Sequence, residues 1–455
     1  MGDATADPNS HTRSGGIARR TLAVVNLQRF REPLLDVGSA LIVCLGLLQC
    51  FLIFNSMHGR ATQTDFSTYY LTAKAVAGHR NPYTDDFVPA IERLGYDTGG
   101  VTHATDPPTF VMMIAPLSRL SIDRAFWLWS LISAICLAVS AYLLFGPGSG
   151  LPIRTELILI SLVMCYPPVA ANLFFGQSKL QTLMLLTLML ALMKAHRDGA
   201  AGIALALAIL LRIFPLAMIG YVVLLRRWRL LIFATAGCAI GALFTLLVLG
   251  SADTLSFTRG IATLTDQHWA SLPQDLSTSG FISRVFLAIS PTSESGLTHF
   301  VRRGAVVCAR LVFVLLTVRA TLAFAPTQDR DWRLFSLWVI ASVLLSPISW
   351  LHYEVIFLIL FGQLAVAASH GRASRRSIAM AVTNCLLALV WAGGGDVYAI
   401  HPRAWWQQII GEFGFFSMLA AYISAYWFAT DEADAVQLPF RAVPAEIWRR
   451  LTPAT

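Results

Sequence analysis

Charge is what this chain has least of. Asp, Glu, Lys and Arg together make up 13% of its 455 residues, while 56% are hydrophobic. A soluble fold of this length needs a far more charged surface, so the composition describes a polytopic membrane protein. Cysteine chemistry is missing as well. Cys44, Cys50, Cys136, Cys165, Cys238, Cys308 and Cys385 all fall within or at the edges of apolar runs, without a CxxC pair and with none in the long polar loops. That pattern excludes a disulfide framework and a zinc site of ordinary spacing. Internal repeats and low-complexity tracts are absent too. The formal charge of +8 would suit nucleic acid, but the Lys and Arg residues sit in short clusters between apolar runs, where positive-inside bias puts them, and no nucleic-acid partner is expected.

What is present is a succession of apolar runs, read as an all-α, polytopic protein of about twelve transmembrane helices. Residues 1–33 form a basic cytoplasmic tail, in which 17–32 reads either as a helix lying on an anionic leaflet or as a solvated tail. The first run, about 34–55, has the length of a full span and no small-residue cleavage site behind it, so it is expected to remain as a signal anchor. A first outer loop follows over 56–124. Within it, PTFVMMIAPLSRL (108–120) would cover only about 20 Å as a helix, against a hydrocarbon core of about 30 Å, and is expected in the outer interface.

Spans are then expected at 125–145, 156–173 and 179–195. The run 199–225 is interrupted by Arg212 and Pro215 and reads as one kinked helix or as a hairpin. The hairpin puts clusters such as Arg226, Arg227 and Arg229, and Arg372, Arg375 and Arg376, on the cytoplasmic side, and is favoured for that reason. Pro347 divides the run 334–369 in the same way, because proline removes a helix hydrogen bond and clashes with the preceding turn. Spans at 230–250, 304–325, 377–393 and 409–428 complete a membrane domain over 34–428. Residues 251–303 form a second outer segment and 394–408 a third, and 429–455 form a cytoplasmic tail.

This topology gathers Asp65, Gln177, Lys179, Arg212, Gln274, Asp275, His352 and Glu354 at or just below one surface. Ionisable groups at membrane depth are costly unless they meet a partner or line a wet cavity. Arg212 therefore reads as a cavity cation, or as a residue that snorkels or pairs with a loop carboxylate. His352 is a site residue or a packed histidine, Lys179 a site cation or an interfacial lysine, and Gln177 a donor or part of a turn. For Asp65 the plain alternative is a helix N-cap, since DFSTYYLTAKAVAG reads as a helix start. Tyr69, Tyr70 and Trp350 suit stacking on sugar faces or anchoring at the interface.

An ordered set of segments carries a resemblance. DFSTYYLTAKAVAGHRNPY, a following PP and APL, YPPVAANLFFGQSKLQTLMLL, AAGIALALAILLRIFPL ending in RRWR, and SPISWLHYE together resemble glycosyltransferase family 87, over roughly residues 35–365. The family belongs to the GT-C superfamily of polyprenyl-phosphate-sugar-dependent enzymes and includes mannosyltransferases. The resemblance implies a polyprenyl-phosphate sugar donor, a lipid or glycan acceptor, and catalysis at the extracytoplasmic face of a bacterial inner membrane. It also implies that Asp65, an aspartate in the first outer loop, is the general base. Two positions depart from the family's pattern: Arg212 stands where Lys is usual, and Asp106 replaces an aromatic residue before PP.

The chemistry fits the residue types. A carboxylate that takes the acceptor's proton is worth about 10²- to 10⁴-fold, and cations in a partly dry cavity stabilise charge growing on a leaving phosphate. Arg212, Lys179 and His352 are the expected cations, with Gln177 as a hydrogen-bond donor. No cofactor or metal is expected, since the leaving group has one phosphate and no compact carboxylate motif is present, although Asp85 and Asp86 keep a metal open. A transporter or flippase of a lipid-linked sugar would share the many spans and broken helices. A lipid-linked glycan polymerase or ligase would share the chemistry.

Overall fold

The computed structural model describes residues 36–96, 103–264, 272–289, 296–323, 328–395 and 409–431. The basic stretch 17–32, most of the third outer segment and nearly all of the C-terminal tail lie outside them. Among the described residues the chain is all helical, a polytopic membrane protein.

Among the described residues every expected span is helical, but one is bent and the helices differ in length. Seven, or eight if one bent pair counts as a single span, are long and apolar enough to cross a membrane. They include α1 (Asp36–Ser56) and α5 (Ile122–Phe145). Between them lie α2 (Phe66–Ala77), α3 (Val88–Leu94) and α4 (Pro108–Ile114). The bent pair is α6 (Ile153–Cys165) and α7 (Pro167–Phe175), which meet at 55°. The expected span over 156–173 is therefore bent: Pro167 and Pro168 follow Tyr166, and the residue before a proline is pushed out of the helical region.

Four expected spans are shorter. They are α8 (Lys179–Lys194), α9 (Asp198–Leu211), the arm made of the 3₁₀ turn Phe214–Ala217 with α10 (Met218–Leu224), and α14 (Gln328–Leu344). Arg212 ends α9 in an extended conformation, with φ −150° and ψ 134°. The next long helix is α11 (Trp228–Leu264), kinked at Gly250, where φ is 84° and where the expected span ends. Register decides how the 199–225 run folds. Gly202 lies against Leu230 and Phe233, Ala206 against Gly237, and Leu210 against Gly241, so α9 and α11 run parallel. Two neighbouring helices that run the same way need a reversal between them, which makes the Arg212–Pro215 break a hairpin. Glycines on that seam let the two backbones approach closely.

The remaining helices are α12 (Thr278–Ile289), α13 (Gly296–Leu322), α15 (Leu358–Ser369), α16 (Arg375–Val390) and α17 (Phe413–Thr430). The apolar stretches of α1 and α11 are 11% buried against 61% for α17 and the 351–369 helix, which puts the first two at the periphery with apolar faces for lipid. The short helix α4 packs on α2, α9 and α11 and buries Phe110, Val111 and Ile114, so it is docked against the bundle.

Candidate active site

Three helix breaks meet at one place: the α7–α8 turn, the α9–α10 hairpin and the Pro347 break after α14. Broken helices leave backbone and side-chain polar groups facing each other, which is tolerable at membrane depth only around a cavity. Such a cavity is present, about 1020 Å³ in volume, lined by residues of all three breaks together with Asp65, Thr68, Tyr69 and Asp106 from the first loop.

The α7–α8 turn depends on Gly176, which caps α7 with φ +64°. A Cβ there would meet Phe66 Cβ at 2.8 Å, so α2 packs directly on the turn. That approach brings Asp65, just before α2, to Gln177, just after the turn. Gln177 Nε2 donates to Asp65 Oδ2 at 2.5 Å, and Gln177 Oε1 accepts from Tyr69 Oη at 2.9 Å and from Lys179 Nζ at 2.8 Å. Although Asp65 precedes α2, its side chain makes no capping bond to the helix. Capping therefore does not account for this carboxylate, which accepts from Gln177.

Arg212 extends the network. Its Nε donates to Ser178 Oγ at 2.7 Å, one Nη to Tyr69 Oη and the other to Asp106. The guanidinium carbon stands 4.9 Å from the Phe110 ring centroid. Arg212 and Asp106 thus form a buried ion pair, and the expected alternative of a loop carboxylate partner is realised inside the cavity. Lys179 is buried, with its Nζ 4.5 Å over the Tyr353 ring.

His352 and Trp350 line the cavity as well, with ring planes 26° apart, and His352 stacks again on Tyr353, the ring beneath Lys179 Nζ. The main chain there is held from outside: Asn172 Nδ2 donates to His352 O at 2.7 Å. Asp275 fastens the same stretch of chain. Its Oδ1 accepts from the Ser349 and Ser277 amides at 3.0 Å each, and burial pushes its carboxyl up to about 6 against the pull of those hydrogen bonds. A second, largely apolar cavity of about 610 Å³ adjoins the first through Phe175, Gln274, Trp350 and His352, and reaches Leu52 and Ile53 of α1.

Of the residues singled out in the sequence, Asp65, Gln177, Lys179, Arg212, Tyr69, His352 and Trp350 line the first cavity together. Tyr70 does not. Successive residues on a helix point about 100° apart, so with Tyr69 turned to the cavity Tyr70 turns away and donates to Leu120 O at 2.8 Å. Glu354 is also apart, buried in a network with Ser417 and Asn384. Ser178, Tyr353 and Phe110 were not foreseen; the first two sit beside flagged residues, in GQSK and LHYE, which was the available signal. Asp85 pairs with Arg80 at 2.9 Å and Asp86 accepts from the Val88 amide at 2.9 Å. Neither lines the cavity, and among the described residues no group of three or more His, Cys, Asp or Glu gathers as for a metal.

A bundle of apolar helices whose breaks enclose two carboxylates, two cations and a set of aromatic rings defines an integral membrane protein with a site built at the helix ends. The chain belongs to glycosyltransferase family 87, whose family model matches residues 104–347, just over half of it, and it is accordingly a membrane glycosyltransferase. No curated protein and no solved structure matches significantly. The matched stretch contains Asp106, Gln177, Lys179 and Arg212, whereas Asp65 and Tyr69 precede it and Trp350 and His352 follow it.

Proposed function

We propose that the protein transfers a hexose, with mannose the first candidate, from a polyprenyl-phosphate sugar to a hydroxyl of a lipid or glycan acceptor. The transfer takes place at the extracytoplasmic face of a bacterial inner membrane, which is the side opposite the arginine clusters at Arg226–Arg229 and Arg372–Arg376 under the positive-inside rule. The observation that carries this reading is the linkage of Asp65 through Gln177 and Tyr69 to Lys179 and Arg212 in one cavity. A base and a phosphate site must stand that close if one sugar carbon is to lie between them.

In this reaction the acceptor oxygen attacks the anomeric carbon from the face opposite the phosphate and inverts it. Its proton passes to Asp65 as the new C–O bond forms. The bond from the anomeric carbon to the phosphate oxygen breaks, and its electron pair stays on that oxygen. Lys179 and Arg212 face the charge that grows there, with His352 and Gln177 completing the phosphate site. Tyr69 and Trp350 offer faces to the sugar. The adjoining cavity, whose walls are mostly apolar, suits the lipid part of a substrate.

The test is sugar transfer by purified protein in detergent, where transport across a sealed membrane cannot give signal. A synthetic short-chain polyprenyl-phosphate mannose should serve as donor, and a nucleotide-linked mannose should not. Transfer from the nucleotide sugar alone would reject the lipid-phosphate donor.

A further inference from the structure

Asp106 occupies an unusual place for a carboxylate in a site that is to bind an anion. It is buried, it lines the same cavity as Lys179, and its partner is the Arg212 guanidinium. The pair is rigidly built. Arg212 is held on its other sides by Ser178 Oγ, Tyr69 Oη and the Phe110 ring, while the Asp106 carbonyl accepts from Tyr83 Oη at 2.9 Å.

Resting on the lipid-phosphate reading above, we infer that Asp106 is a built-in counter-ion of the phosphate site, which holds Arg212 in place in the empty enzyme and weakens the grip on the released lipid phosphate. The charges make the argument. With Asp65 and Asp106 ionised against Lys179 and Arg212, the empty cavity is close to neutral. The donor's phosphodiester brings one negative charge, but the product is a monoester carrying close to two at neutral pH. Without Asp106 the cavity would carry one uncompensated buried cation, which would hold that product far more tightly than the donor. A carboxylate already paired with that cation offsets the difference, because an anion bound beside Arg212 must share it with Asp106. Removing one member of a buried pair leaves the other uncompensated, and such a charge gains most from a ligand of opposite sign.

Asp106→Asn isolates this effect. The amide keeps the side chain's shape and an oxygen to accept from Arg212, and removes only the charge. Binding of a synthetic short-chain polyprenyl monophosphate should tighten on the order of tenfold or more relative to wild type, as expected for lifting one repulsive charge at a few ångströms in a partly buried site. The corresponding polyprenol, which lacks the phosphate, should bind both proteins alike. Product inhibition in the transfer assay should strengthen in step, and Asp106→Glu should restore wild-type behaviour to within a fewfold. The variant should also gain more thermal stability from the monophosphate than wild type does. If it can be purified only with the monophosphate present, that rescue is the same result seen as yield.

Equal or weaker monophosphate binding by Asp106→Asn, or tightening that appears equally with the polyprenol, would overturn the inference. So would a variant that no amount of monophosphate recovers, since a purely structural role predicts that loss. Wild-type protein that binds no polyprenyl monophosphate at all would instead overturn the donor reading beneath it.

Discussion

Asp65 and Gln177, 112 residues apart in the chain, meet side chain to side chain at 2.5 Å, with the amide nitrogen donating to the carboxylate. The same amide's oxygen accepts from Lys179 and Tyr69. Gln177 therefore fixes the carboxylate's orientation and ties it to the cation beneath, while adding no charge of its own.

Replacing that amide by an acid tests its role. Gln177→Glu is isosteric, but it sets a second carboxylate against Asp65, and two carboxylates sharing a site raise the apparent pKa of one of them. Since a base works only when deprotonated, the acid limb of the pH–rate profile should move to higher pH, and kcat/KM at neutral pH should fall by about tenfold or more. The check is a pH profile of sugar transfer. An acid limb that stays in place would mean Gln177 does not touch the group that titrates.

Gly176 makes the meeting possible. Gly176→Ala would carry a left-handed backbone, at φ +64°, and push its methyl against Phe66 Cβ. The two costs together should exceed about 2 kcal/mol and displace Gln177. Gly371→Ala is the control, with a similar φ of 68° but open space around the new methyl. Thermal unfolding in detergent should show a clearly larger loss for Gly176→Ala, accompanied by lost turnover that Gly371→Ala retains.

Much of this arrangement was legible in the sequence, because helix breaks and buried charges leave local marks. Arg212 and Pro215 marked the hairpin, Pro347 the second break, and the Gly176–Gln177 pair a turn beside Lys179. What was not legible depends on which breaks meet. The bend at Tyr166–Pro167 was marked by two prolines, yet the residues on either side are as apolar as those of a continuous span. The Arg212–Asp106 pair joins positions 106 residues apart, and a loop carboxylate carries no sign of the partner it will find. Tyr69 and Tyr70 looked equivalent until the packing of α2 turned one inward and the other toward Leu120.

Asp275 gives a stability signature. Its carboxyl is raised by burial from an ordinary 3.8 to about 6 in the fold. A raised acid favours the fold when protonated. Its contribution is full below about pH 4, is lost as pH rises through about 6, and stays constant above that. Asp275→Asn, which keeps the acceptor for the Ser349 and Ser277 amides, should remove this loss. Its melting temperature relative to wild type should therefore rise between pH 4 and pH 6.5, by the equivalent of about 1–3 kcal/mol. A difference between the two proteins that does not change with pH would contradict the assignment.

The central claim is that Asp65 is the base, and Asp65→Asn tests it most directly. Asparagine keeps the size of the side chain and can still bond Gln177, and no helix cap is at stake because the Asp65 side chain makes none. The measurement is transfer from synthetic polyprenyl-phosphate mannose by purified wild type and variant, with donor binding measured on the same preparations. The account predicts donor affinity within a fewfold of wild type and product formation reduced about 10²-fold or more. Near wild-type turnover by Asp65→Asn would contradict it.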